Sequence, residues 1–317
     1  MRRFLLQRLL TLLLTLLGAT VVVFLMLDLL PGDAAQMMMG PDASPQAVQA
    51  MASKLGLDRP PLERYGHWLG GLLVGDWGMS HAYSSPVLDL VIERLALTVP
   101  LAVLAMTLTT VLALAAGMYA ASHHNRLGDT GLMGLAQLGI AVPNFWFAIL
   151  LILLFSVHLQ WLPAGGFPGW GEDVLGSLQS LLLPALALAV VQAAILARIT
   201  RSAVLDVLQE DFVRTARAKG LSRRATLWRH VLRNAMVPIL TVMGLQFANL
   251  LAGTIVVENV FYLPGLGRLI FQAIANRDLI VVRDVVMLLS ALVILINFCI
   301  DVLYAWIDPR LKAGHAE

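Results

Sequence analysis

An all-α membrane protein with six transmembrane helices is the fold class this sequence predicts, and three observations lead to it. The 317 residues are 59% hydrophobic and 13% charged, with a mean hydropathy of +0.80, outside the range of soluble globular domains. Apolar runs long enough to cross hydrocarbon, at about 1.5 Å per residue, recur six times along the chain. The remaining charge is gathered: residues 198–235 hold nine basic side chains, Arg198, Arg201, Arg214, Arg217, Lys219, Arg223, Arg224, Arg229 and Arg233, against three acids, Asp206, Glu210 and Asp211. A segment with a net +6 cannot sit in hydrocarbon.

Residues 1–30 form the first unit, an N-terminal segment with Arg2, Arg3 and Arg8 leading into an apolar run over 9–30. The run is longer than the core of a signal peptide, and no small-x-small site closes it, so it reads as an uncleaved first span. Asp28, near its far end, reaches the interface. Residues 31–95 follow as an extramembrane subdomain, periplasmic in the orientation derived below, too amphipathic to be disordered. Ser44-Pro45 predicts a helix start, with Val48, Met51 and Leu55 on one face and Gly56 as its stop. A second helix follows Pro61, its apolar side made by Leu62, Tyr65, Trp68, Leu69 and Leu72, and Gly75 ends it; a third begins at Ser85-Pro86 and runs into span two. Trp68 and Trp77 suit packing at a membrane interface.

Residues 96–317 carry the other five spans. Span two, about 96–121, is followed by His123-His124, which point about 100° apart on a helix and serve one metal ion poorly, so no metal site is assigned. Span three, 132–157, contains Pro143-Asn144, which must kink or locally open the helix. Such breaks are tolerated where protein or a water-filled path covers the freed backbone, which makes Asn144 a candidate for lining a pathway. The loop over 158–177, rich in Gly, Pro and Trp, reads as an external re-entrant or gate-side segment. Span four, 178–197, bears Pro184 and Gln192; in span five, 236–257, Gln246, Asn249 and Gly253 recur at i, i+3 and i+7. Such a polar face either lines a pore or makes interhelical hydrogen bonds worth about 0.6 kcal/mol each. A turn-rich loop over 258–284 leads to span six, 285–307, with Ser290, Asn297 and Asp301 along one face. Cys299 lies inside that run; a lone cysteine allows no intramolecular disulfide and reads as a small buried hydrophobe. With both termini inside, fifteen of the 22 lysines and arginines are cytoplasmic and seven external, which favours that orientation.

Within 198–235 the pattern is helix, break, helix. Phe212, Ala216 and Lys219 keep one face, Gly220 supplies the left-handed residue that ends a helix, and Ser222 can cap a second helix with Leu227, Val231 and Asn234 on one side. Two short surface-docked helices of this kind form a knob suited to another protein's groove, although its charge would also serve to fix membrane orientation. Three chemistries lack their residues. Lys54, Lys219 and Lys312 follow Ser, Ala and Leu, so no phosphate-cradling Gly-Lys-Ser/Thr loop exists. The spans offer only Asp28 and Asp301, both near ends, for carrying protons or sodium. Neither paired carboxylates nor a His-Glu-x-x-His arrangement appears, so no catalytic residue is assigned. A passive pore driven from outside the chain remains.

Arg214-Thr215-Ala216-Arg217-Ala218-Lys219-Gly220 and Leu232-Arg233-Asn234-Ala235 resemble the cytoplasmic EAA loop of ABC importer permeases. Gly220 takes the motif's glycine, Ala216 its second alanine and Leu232 its leucine, while Arg214 and Thr215 stand for the Glu and first Ala. With Leu30-Pro31-Gly32-Asp33 and the run from Phe261 to Arg268, the likeness covers nearly the whole chain and is similar to the B-type permeases of the peptide/nickel branch. The resemblance implies a type I-like importer permease forming half of a translocation pathway across a bacterial inner membrane, multi-pass and embedded in lipid. Its expected partners are a second permease subunit in a heterodimer, two ATP-binding subunits that hold ATP and Mg, and a periplasmic substrate-binding protein; no cofactor in this chain and no nucleic acid is implied. Coupling to the ATPases would fall to Asp211, Arg214, Thr215, Ala216, Lys219, Gly220 and Leu221. Peptides are the leading substrate class. Val142-Pro143-Asn144-Phe145-Trp146 and the run from Leu159 to Pro163 look close to nickel-type members, so nickel, a metal chelate or glutathione stays open; an ion-coupled secondary carrier is the reading of another class.

Overall fold

The protein is described by a computed structural model that covers residues 2–28, 34–40, 42–54 and 56–307. Thirteen α-helices follow one another among these residues, and none of them lies in a named strand. Five helices are long and apolar enough to cross a membrane: Leu5–Met26, Val87–Ser122, Val174–Leu208, Arg223–Val260 and Leu279–Leu303. The apolar pair Leu127–Ala141 and Asn144–His158, bent by 103° at its break, brings the number of crossings to six when it is taken as one span. The chain divides into two compact units, one holding the described residues up to Leu5, Val99–Leu263 and the described residues from Ile296, the other Leu6–Thr98, with most of the first helix, and Pro264–Leu295.

In the second unit, α1 (Arg2–Asp28), α2 (Ala34–Met39), α3 (Pro45–Lys54) and α4 (Pro61–Val74) precede the root of α5 (Val87–Ser122). Proline opens α3 and α4, where a missing N–H costs nothing. Gly56 (φ +66) and Gly75 (φ +83) adopt the left-handed conformation expected of helix stops. α2, a six-residue helix of Ala, Gln and Met, was not expected from the sequence. Trp68 is buried: it packs with Val23 and Met287, stacks on Phe24, and donates its indole N–H to Asp284 at 2.7 Å. Arg283 lies over the Trp68 ring and donates to the same carboxylate oxygen at 2.9 Å. The turn-rich loop after span five contains a further helix, α12 (Leu266–Ala275), whose apolar residues Leu266, Leu269, Ile270 and Ala273 are buried. Asp278 follows it and accepts from Ser80 Oγ at 2.6 Å and from the Ala82 N–H at 3.0 Å, tying the segment after α4 to the start of α13 (Leu279–Ile307).

In the first unit, α8 (Val174–Leu208) is the central helix: 67% of its most apolar window is buried, against 17–33% in the other four long spans. It packs on α6 (Leu127–Ala141), α7 (Asn144–Leu151) and α11 (Leu232–Val260). Small residues permit this closeness. A Cβ at Gly117 would stand 2.6 Å from Thr200, and one at Gly139 would touch Ala194 at 3.3 Å. Pro143 does more than kink span three: Val142 is extended (ψ 124) before it and α7 sets off in a new direction, because proline excludes the helical region for its predecessor. Pro100, Pro184 and Pro238 remain inside helices. α7 passes into a π-helical turn, Ile152–His158.

Two of the boundaries that differ from the sequence reading bear on the charged segment. Span four does not end at residue 197; α8 continues to Leu208, so Arg198, Arg201 and Asp206 are helical. The second helix of the charged segment is not a separate short piece, because α10 (Arg223–Thr226) runs through a π-helical turn, Leu227–Val231, directly into α11. No glycine or turn residue interrupts 223–235, and a π turn shifts the register without ending the helix. Cys299 is exposed on α13 rather than buried. The stretch Leu30-Pro31-Gly32-Asp33, Leu55, the side chain of Asp28, and Asp308, Pro309, Arg310 and Lys312 lie outside the described residues.

Candidate functional site

The charged segment is built from its helix ends. After α8 the chain turns at Gln209-Glu210 and enters α9 (Asp211–Ala218), with Asp211 in the first turn and Arg217 in the last, the signs the helix dipole favours. The exit is a Schellman motif: the Gly220 N–H bonds the Arg217 carbonyl at 3.0 Å and the Leu221 N–H the Ala216 carbonyl at 3.3 Å, with Gly220 at φ +89. Lys219 is the residue before that turn, at φ −79 and ψ 7. A Cβ on Gly220 would meet nothing within 4 Å, so its backbone conformation, not space, selects glycine. Ser222 then caps α10, its Oγ accepting from the Ala225 N–H at 3.2 Å.

The face of α9 turned inward is not the one formed by Phe212, Ala216 and Lys219. Val213 (1% exposed) and Ala216 are buried, whereas Phe212 is 40% exposed and Lys219 lies in solvent. Val213 joins Val204, Leu227 and Val231 in one apolar cluster. Ala216 belongs to both patterns; the start of the long helix presents its apolar side to position 213. The outer surface of α9 carries Asp211, Arg214 and Thr215. Asp211 and Arg214 pair at 3.5 Å with side chains 96% and 76% exposed, an arrangement that adds little stability and leaves both groups open to a partner. Thr215 donates to the Asp211 carbonyl at 3.0 Å. Trp228, which the sequence reading did not single out, is exposed beside Ser222, Arg224 and Ala225 around an open cleft.

The four pathway candidates separate. Asn144 and Gly253 come together: a Cβ on Gly253 would stand 3.4 Å from the Asn144 amide nitrogen and 3.0 Å from Leu188, so the first residue after the break sits against a bare patch of α11. Gln246 is buried between α8 and α11 and donates to the Gln192 carbonyl at 2.9 Å, the packing role. Asn249 is exposed, on a stripe with Leu245, Ala252 and Val256.

A cluster the sequence reading missed lies where α5 meets α6. Asp129, 2% exposed, accepts both arms of the Arg201 guanidinium, with Nη2 to Oδ2 at 2.7 Å, and its Oδ2 also accepts the Asn125 N–H at 3.0 Å. His124 Nδ1 is 3.0 Å from Arg201 Nη2, which donates to it. Arg223 donates to the Ser122 carbonyl, and Arg198 to Gln137 at 3.0 Å. The adjacent histidines therefore belong to a turn. Among the described residues no group of three or more His, Cys, Asp or Glu could hold a metal ion.

Apolar helices long enough to cross a membrane, one helix pair broken at a proline and a charged helix–glycine–helix element define a class, the polytopic α-helical membrane proteins. The chain belongs to the family described as binding-protein-dependent transport system inner membrane component, which matches residues 113–313, and the corresponding N-terminal family matches 1–102. It is 45% identical over 292 residues to a protein of Brucella abortus named for a peptide transport system permease, covering 92% of this chain and 93% of that one. It is 42% identical over 312 residues to the glutathione transport system permease protein of Escherichia coli strain K12, covering 98% and 99%. The protein is thus a multi-pass inner-membrane permease of the ABC-importer type, as the resemblance implied.

Proposed function

We infer that this chain forms half of the translocation pathway of an importer for peptides. One observation carries the reading: relatives named for peptide and for glutathione transport match over more than nine-tenths of the chain, and glutathione is itself a peptide. A second permease subunit completes the pathway. Two ATP-hydrolysing subunits hold ATP and Mg themselves, one of them docking on α9 of this chain, and a substrate-binding protein delivers cargo from outside. Both termini are cytoplasmic. Asp211, Arg214 and Thr215 form the contact surface, and Val213 and Ala216 seat α9 on the spans. Lys219, Gly220 and Leu221 fix the angle at which it is presented. Closure of the ATPases on ATP displaces α9, and the spans exchange an outward opening for an inward one.

The test is reconstitution of the assembled complex in sealed proteoliposomes with its binding protein. Loading that protein with glutathione or a tripeptide should stimulate ATP hydrolysis, and an ATPase-dead partner should abolish uptake. Stimulation by nickel or a nickel chelate but by no peptide overturns the peptide assignment. Uptake driven by a proton gradient without ATP overturns the class and restores the ion-coupled carrier.

A further inference from the structure

We propose that the turn joining α5 to α6, gripped by Arg201 from one side of α9 and by Arg223 from the other, is the link that carries movement of α9 into the broken span. Asp129 is its positioning residue. The proposal rests on α9 being the element the ATPases move.

α9 is bounded in sequence by α8 and α10, and each neighbour holds the same short stretch. Arg201, on the last part of α8, forks onto Asp129 in the first turn of α6. Arg223, the first residue of α10, donates to the carbonyl of Ser122, one of the groups a helix end leaves without an intrahelical partner. The turn between these contacts is tightly folded. Asn125 stands at φ +61 with its N–H held by Asp129, and Tyr119 stacks on His123 at 4.4 Å between centroids. A Cβ on Gly128 would fall 3.0 Å from the Tyr119 ring, so α6 starts hard against α5.

What is gripped at one end is rigid to the other. α6 runs unbroken from Leu127 to Ala141 along α8, held there by Arg198 on Gln137 and by the approach of Gly139 to Ala194. It ends at Val142-Pro143, where the 103° break places Asn144 against Gly253 of α11. A displacement at α9 that pulls on Arg201 and Arg223 therefore moves the α6 start as a body, and the hinge at Pro143 is where the motion changes direction. A pair that only stabilised the fold would need Arg201 alone. Arg223 is exposed, and its bond to a main-chain carbonyl ties the far flank of α9 to the same turn.

The experiment uses the complete complex with its ATPase partners in nanodiscs, with Cys299→Ser and Asn144→Cys, so that the one thiol of this chain, read on its own band after the subunits are separated, reports on the break. Its labelling rate by a water-soluble maleimide is measured with and without ATP and Mg, beside ATP hydrolysis and the melting temperature. In the parent, ATP should change the rate. Asp129→Asn and Arg223→Gln should each cut that change about tenfold, an ordinary coupling between sites, with partners retained and basal hydrolysis unaltered. Asp129→Glu, which keeps a two-oxygen acceptor, should restore part of it. A lowered melting temperature with the ATP-dependent change intact means the cluster is only structural and overturns the link. Should Asp129→Asn fail to assemble, Arg223→Gln decides, and a parent-like response from it overturns the proposal. A parent complex whose position 144 responds fully to ATP while α9 variants have no effect overturns the reading of α9 instead.

Discussion

Gly220 and Gly165 show two reasons for a glycine, and each yields a test. Gly220 has space around it but a φ of +89, where a side chain costs about 1 kcal/mol or more and a β-branched one worse. Gly220→Val should fray the exit of α9, abolishing uptake and the stimulation of ATP hydrolysis while the spans still insert. Gly220→Asn, which tolerates the left-handed region, should keep most of both; equal loss in the two variants would refute a conformational cause. Gly165 has an ordinary backbone and no space: a Cβ there would collide with the Phe261 carbonyl, which already accepts from the Gly166 N–H at 3.0 Å. Gly165→Ala should destabilise the unit by about 1–3 kcal/mol, read as a lower melting temperature in detergent, whereas Gly171→Ala, with nothing within 4 Å, should be silent. Both glycines were visible in the sequence. The reason for Gly165 was not, because its neighbour lies almost a hundred positions away.

Helix ends were legible because the residues that make them act locally. Pro45, Pro61, Gly56, Gly75, Gly220 and Ser222 all stand at the boundaries they predicted. Faces were less legible. Periodicity offers α9 two overlapping apolar sets sharing Ala216, and only the position of Leu227 and Val231 selects Val213 over Phe212. On α11 the same ambiguity joined Gln246 to Asn249, though the first is buried against α8 and the second exposed. If the exposed stripe lines the pathway, single cysteines at 249 should react with water-soluble thiol reagents in the assembled complex and those at 246 should not. Asn249→Leu should lower uptake and leave partner retention and ATP hydrolysis near normal. Equal protection at both positions would assign the stripe to packing against another subunit.

For the whole molecule, hydropathy and the distribution of basic residues define a topology that can be tested directly. Protease added to intact spheroplasts should cut within 31–95, and cleavage only after the cytoplasmic side is exposed would reverse the orientation. The apolar segments, most helix caps and the gathering of charge into 198–235 were legible in the sequence alone. They depend on the transfer of each residue between water and hydrocarbon and on backbone preferences over a few positions. Tertiary structure decided how much of the charged segment is helix, how sharply span three breaks, and which polar residues meet. The pairing of Arg201 with Asp129 joins residues far apart in sequence, and nothing in the composition of either neighbourhood names the other. Asp129 is buried and Arg201 half-buried, and a carboxylate is held away from water only where packing brings a cation to it, which is a property of the assembled helices.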